Sequence, residues 1–120
     1  MSEPTIPVLL VSPYAGDVEA NVAFARAASL DCLHHGEAPL APHLLYPLVL
    51  DDATPEEREL GITAGLAWLT LAAKVVVYVD RGRSDGMRRE IAYAEEFGKP
   101  IEYRMLGLPR EPNMGPSEAA

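Results

Sequence analysis

The chain predicts an α/β fold: an open parallel sheet of the Rossmann-like or flavodoxin-like kind, with about four strands and three helices in βαβαβαβ order. Three observations carry that expectation. Short runs rich in Val and Leu alternate with longer segments whose apolar residues recur at helical spacing. Capping and turn residues fall at the junctions between them. The run KVVVYVD is apolar on both of its alternating faces, as a strand covered by helices on both sides must be. A length of 120 residues supports one core and not two, so residues 1–106 are expected to form a single domain followed by a flexible or partner-docked tail, 107–120.

Each element has its own local reason. TIPVLLVS (5–12) is a short buried-strand run ended by the turn PYAG. Asp17 can cap a helix running to about His35, in which Val18, Val22, Ala25, Leu30 and Leu33 recur at near-helical spacing. Gly36 closes it. APLAPHLL (38–45) reads as a short strand running into a loop, because its prolines oppose a long one. In ATPEERE, Thr54, Pro55 and Glu57 form a capping-box signature with proline at the first helical position, opening a helix to about Ala72. KVVVYVD (74–80) is then a central strand. A third helix starts near Asp85 or Gly86 and ends at Gly98, and KPIEYRM (99–105) supplies the last strand.

Parallel strands joined by helices bind ligands beyond the carboxyl ends of the strands, where strand order reverses. If the first and third strands are central neighbours, the loops 12–17 and 80–86 line that crevice. Composition narrows what would bind there. The formal net charge is −8, which disfavours a nucleic acid polymer as partner because the broad basic surface it needs is missing. The longest apolar stretch, LAWLTLAAKVVVYV, is interrupted by Thr70 and Lys74 and falls short of the roughly 20 residues that cross a bilayer, so no membrane partner is expected. The N-terminus shows no basic region or cleavage site of an export signal, and a cytoplasmic protein fits best. Cys32 stands alone, and no His, Cys or carboxylate set has metal-ligand spacing, so neither metal nor cofactor is expected.

Four of the eight arginines fall between positions 81 and 89, a local cluster that suits a small anion. In SPYAGD, Ser12 and Gly16 precede a helix N-terminus, where backbone N–H groups favour an anion. Neither a Walker loop nor G-x-G-x-x-G is present. In SDGMRRE, Ser84 and Gly86 open a second helix, and Glu90 lies within its first turn or so, able to face the crevice. Arginines at a helix start oppose the dipole, which a bound phosphate would compensate. The plainer reading is that Arg81, Arg83, Arg88 and Arg89 form a solvated face and that Glu90 pairs on the surface. His43, after Pro42, is expected on the ligand side, Asp80 ends the central strand at the crevice, and Tyr14 is placed to cover a base or sugar.

Taken together, the small-polar turn after the first strand, Pro42–His43, the Ser-x-Gly-x-x-x-Glu of Ser84 to Glu90 and the GKPI strand entry resemble the nucleoside 2-deoxyribosyltransferase-like superfamily, which includes the 2′-deoxynucleoside 5′-phosphate N-hydrolases. The resemblance spans about residues 6 to 104, and SDGMRREIAYAEEFGKPI is its most specific piece. It implies cleavage of an N-glycosidic bond, by hydrolysis or base transfer, in a nucleoside 5′-monophosphate or nucleoside. Glu90 matches the glutamate that attacks C1′, and Asp80 the aspartate that protonates or holds the leaving base. Ser84, Ser12, Gly16 and Gly86 match positions that cradle a 5′-phosphate, Arg83 and its neighbours add positive charge, and Tyr14 and His43 would contact sugar or base. The chain departs from the frequent Glu-x-Gly-x-Ala pattern, with Ala92 in place of the glycine. Family members commonly assemble, so the resemblance also implies a homodimer or larger homo-oligomer. The rival reading is a non-catalytic nucleotide-binding or sensing module on the same scaffold.

Overall fold

A computed structural model describes residues 5–107. The tail expected from residue 107 onward lies, beyond Gly107, outside the described residues. The elements are β1 (Ile6–Val11), α1 (Val18–His34), β2 (Glu37–Leu40), the short α2 (Pro42–Leu45) with a 3-10 turn (Tyr46–Leu48), α3 (Pro55–Leu71), β3 (Lys74–Tyr78), α4 (Asp85–Glu96) and β4 (Ile101–Arg104). The four strands form one parallel sheet in the order β2-β1-β3-β4, a Rossmann- or flavodoxin-like α/β arrangement. β1 and β3 are the central neighbours, with Leu9 beside Val75 and Val11 beside Val77. The chain moves one way from β1 to β2 and the other way from β2 through β3 to β4. Right-handed crossovers therefore send α1 to one face and α3 and α4 to the other.

Alternation along the strands feeds two cores. Leu9, Val11, Val75, Val77 and Val79 pack with Leu69 and Ala72 of the α3 end and with Met87, Ile91 and Ala94 of α4. Val8, Leu10, Val76 and Tyr78 pack with Phe24, Ala28 and Cys32 of α1. Each Val or Leu so buried is worth about 1.5–3 kcal/mol relative to leaving it exposed, which is why the three-helix pattern read from periodicity is the one formed. Gly36 and Gly98 close α1 and α4 with positive φ, at +75° and +67°.

Two local expectations give way to competing polar groups. Residues 42–48 are helical, not the continuation of a strand, because Pro42 sits at the first position of α2, where its fixed φ suits a helix. The capping box at α3 does not close. The Thr54 hydroxyl donates to Asp51 Oδ2 at 3.2 Å and Glu57 accepts the Asp51 N–H at 3.0 Å, so Asp51 takes both partners into a local turn.

Where α1 leaves the sheet uncovered, β3 and β4 turn polar. Arg104 places a bidentate fork on the Glu37 carboxylate, at 2.8 and 2.6 Å, and Lys74 reaches the same group at 3.0 Å. The side chains of Glu37 and Arg104 are 3% and 9% exposed. Burial alone would raise the Glu37 pKa, yet the hydrogen bonds from Arg104 and Lys74 hold it below the ordinary carboxylate value. Arg104 also donates to the Tyr78 hydroxyl, which donates in turn to Asp31 of α1. This network spans the sheet from edge strand to edge strand.

Arg104→Met is expected to cost about 3 kcal/mol in urea unfolding at pH 7, because it strands a buried charge, and Glu37→Met/Arg104→Met to regain most of it. The depressed Glu37 pKa implies stability that is present above the unfolded carboxylate's range and lost as pH falls through it. The Arg104→Met deficit should therefore shrink towards acid pH.

Candidate active site

The carboxyl ends of β1 and β3 open into one cavity of about 540 Å³, walled by the β1–α1 loop, α2 and its 3-10 turn, α3 and the start of α4. Each wall follows from local sequence. Gly16 has φ +100°, a left-handed conformation that a side chain disfavours, and it turns the chain from β1 into α1. Asp17 caps α1 by accepting the Ala20 N–H at 3.2 Å. Ser84 caps α4, its Oγ accepting the Met87 N–H at 3.2 Å, which leaves the hydroxyl hydrogen for a ligand. Two helix N-termini thus converge on one opening. The face of α3 towards it is Arg58, Gly61, Ile62, Gly65, Leu66 and Leu69, spaced at three and four residues. A Cβ on Gly61 would stand 3.3 Å from Leu50 Cδ1, so this glycine lets the 42–50 segment close the wall.

Ser12, Tyr14, Gly16, His43, Ser84, Gly86 and Glu90 all line this cavity. Ser12 Oγ lies 2.7 Å from His43 Nε2. Burial lowers the His43 pKa to about 4, so the ring is neutral at physiological pH. Glu90 is half-buried and sits one and a half turns into α4, deeper than the first turn. Burial raises its pKa to about 7, and the neighbouring Arg89 guanidinium only partly opposes this. Among the described residues its carboxylate has no hydrogen-bond donor. A desolvated, undercompensated acid in a cavity is the signature of a group kept for chemistry rather than for stability.

Two expected residues are corrected. Asp80 does not line the cavity: its two carboxylate oxygens accept the Leu106 and Gly107 N–H groups at 2.9 and 3.0 Å, fixing the chain after β4. Arg83 is likewise outside, with its guanidinium 4.9 Å from the centroid of the Tyr103 ring. Arg89 takes the place expected of Arg83, and Arg58, Tyr46 and Tyr93 also line the cavity. Helical spacing carries the signal for two of them, since Glu90 and Tyr93 lie three apart on α4, as do Gly86 and Arg89. Tyr46 accepts a hydrogen bond from Trp68 Nε1 at 2.8 Å, a contact across 22 positions that no local pattern announces. Among the described residues no group of three or more His, Cys, Asp or Glu could hold a metal ion. No helix among them is long and apolar enough to cross a membrane.

The chain belongs to a family described as a domain of unknown function, DUF7768, whose profile matches residues 7–104. No curated protein sequence matches it. Among solved structures it is similar to a 2-deoxyribosyltransferase from the psychrotolerant bacterium Bacillus psychrosaccharolyticus, with a TM-score of 0.63 and 18% identity over 88% of this chain and 77% of that one. At that identity the likeness concerns the fold.

The Glu90 environment makes a stability prediction independent of any substrate. Between its unfolded value of 4.5 and about 7, the unfolded chain has released the proton and the folded chain still holds it, so stability falls across that window and stays reduced above it. Glu90→Gln removes the penalty. At pH 8 the variant should be more stable than wild type by about 1–3 kcal/mol, after discounting for partial exposure, and the gain should fade by pH 5. Thermal unfolding of both proteins across that range decides it; a pH-independent difference would contradict the buried placement of the carboxylate.

Proposed function

We propose that this protein cleaves the N-glycosidic bond of a nucleoside 5′-monophosphate or nucleoside, by hydrolysis or base transfer, with Glu90 as the nucleophile. The observation that carries the reading is Glu90 itself, a desolvated carboxylate in a cavity with two helix N-termini at one side and aromatic and apolar walls at the other. The likeness to a nucleoside-processing enzyme supports the same class. In this reading a 5′-phosphate lies against the α1 and α4 N-termini with the Ser84 hydroxyl and Arg89, and the base against walls that include Tyr46, Pro47 and Leu66. The Glu90 carboxylate attacks C1′, and the C1′–N bonding pair leaves with the base. Water or a second base then attacks C1′, and the ester bonding pair returns to Glu90. Asp80, held by two backbone amides, has no part in these steps.

A second reading, nucleotide binding without turnover, draws on the same carboxylate. A pKa of about 7 leaves much of Glu90 neutral at physiological pH, where it donates a hydrogen bond rather than attacks.

Free-base release from a panel of ribo- and deoxyribonucleoside 5′-monophosphates and their nucleosides separates the two. An enzyme releases base in wild type and not in Glu90→Gln; a binding module releases none and keeps its affinity in the variant. With Glu90 ionised in the reactive form, kcat/KM should rise with pH through about 7 and then level off. Arg89→Met should weaken a nucleotide by about tenfold or more and leave its nucleoside nearly unchanged, whereas Arg83→Met should spare both.

We also propose that a second copy covers the outer face of α3. Leu69 is the one buried residue of that helix, while Leu60, Trp68 and Leu71 are exposed beside Leu48 and Val49, with Leu71 at 71% and Leu48 at 81%. Sedimentation should show a dimer that Leu60→Glu/Leu71→Glu converts to monomer; an unchanged sedimentation coefficient would rule out this face.

A further inference from the structure

The loop carrying Tyr14, Ala15 and Gly16 is held by a residue outside the cavity. Asn21, in the first turn of α1 and only 4% exposed, donates through Nδ2 to the carbonyls of both Tyr14 and Ala15, each at 3.1 Å. Its Oδ1 accepts from Arg81 Nε at 2.8 Å. The amide thus spends both of its hydrogens on one loop and its oxygen on a residue of the other crevice loop. Gly16 O, the next carbonyl along, accepts the Val18 N–H at 3.0 Å.

The orientation of the loop's donors follows from peptide geometry. In a trans peptide the C=O and N–H vectors point in opposite directions, and the structure contains no cis bond among the described residues. With the Tyr14 and Ala15 carbonyls turned onto Asn21, the N–H groups in the same two peptides, those of Ala15 and Gly16, point the other way. Both residues line the cavity, and neither amide hydrogen is used within the described residues. Two successive free N–H groups of this kind form an anion-binding concavity.

We infer that Asn21, steadied by Arg81, is a positioning residue that aims the Ala15 and Gly16 amides at the anionic group of the substrate and couples the two crevice loops. This rests on the nucleotide reading of the cavity and adds that the phosphate, rather than the base or sugar, is what the loop recognises. Without Asn21 the two carbonyls are free to turn inwards, and a carbonyl oxygen repels a phosphate where an amide attracts it. Substrates lacking the phosphate have nothing to lose from that change.

The test compares a nucleoside 5′-monophosphate with its own nucleoside in wild type, Asn21→Ala, Asn21→Asp, Arg81→Met and the Asn21→Ala/Arg81→Met double variant, each assayed below its own unfolding transition. Asn21→Asp keeps the shape and the Arg81 contact but removes the two donors, so it carries the test if Asn21→Ala does not fold. Readouts are kcat/KM for base release and Kd by calorimetry. For the nucleotide, both should worsen by about tenfold or more in each Asn21 variant, and for the nucleoside change less than about threefold. The double variant should be no worse than the worse single, as for two parts of one clamp. Equal losses on both substrates would reduce Asn21 to a structural role, and no loss on either would remove it from the site; in both cases Glu90-dependent base release would still stand. A wild type that neither releases base from nor binds any nucleotide overturns the clamp together with the reading beneath it.

Discussion

The parallel pairing of β1 with β3 is the constraint from which the rest of this molecule follows. Each ladder bond between them brings two chain segments more than sixty residues apart into register, with Val8 beside Lys74 and Val11 beside Val77. Once they are paired, β2 and β4 have only the outer positions left, and the handedness of the crossovers assigns α1 to one face and α3 and α4 to the other. The loops leaving β1 and β3 then diverge to opposite faces, and the gap between them is the cavity. The site is thus a consequence of topology before any side chain contributes chemistry.

Electrostatics divides along the same line. On the α1 face, Glu37, Glu102, Lys74 and Arg104 answer one another, and hydrogen bonds to Arg104 and then Lys74 push the Glu102 pKa down to about 2. Among the described residues no buried side-chain nitrogen or oxygen lacks a hydrogen-bond partner. At the cavity the logic is reversed. Glu90 and His43 are both driven towards their neutral forms by burial, without the charged partners that the other face supplies in number. One face spends its charges on stability, whereas the other carries a desolvation cost that only a ligand would relieve.

Asp80 illustrates how a backbone can compete with a site for the same carboxylate. It stands where the crevice begins, and an acid there can face either the cavity or the chain that follows β4. Two amide donors from consecutive residues, Leu106 and Gly107, are a stronger offer than open solvent. Leu106 also packs against the α1-side core, which holds the segment in reach. The aspartate therefore anchors the end of the domain, and the cavity is left with Glu90 as its inner carboxylate.

Strand and helix order, the two-faced character of 74–80, the cap at Ser84 and the placing of Glu90, Ser84 and Ser12 at one edge were legible in the sequence, because each depends on residues within a turn or two of one another. The same locality explains why α1 and α4 end at Gly36 and Gly98. What the sequence could not convey is which of several near-equal partners a polar side chain takes. Thr54 and Glu57 satisfy a capping box on paper, and Asp51 takes both. Arg83 and Arg89 are alike in composition, but the first meets Tyr103 on the neighbouring strand and the second meets the cavity. Asn21 gave no signal at all, since its three partners lie six, seven and sixty positions away. By itself the sequence determined the elements and the edge of the sheet at which chemistry collects, through short-range backbone preference and burial. Only the tertiary structure decided which charges face the cavity, because that choice is made by hydrogen-bond donors brought close by the sheet and not by the chain.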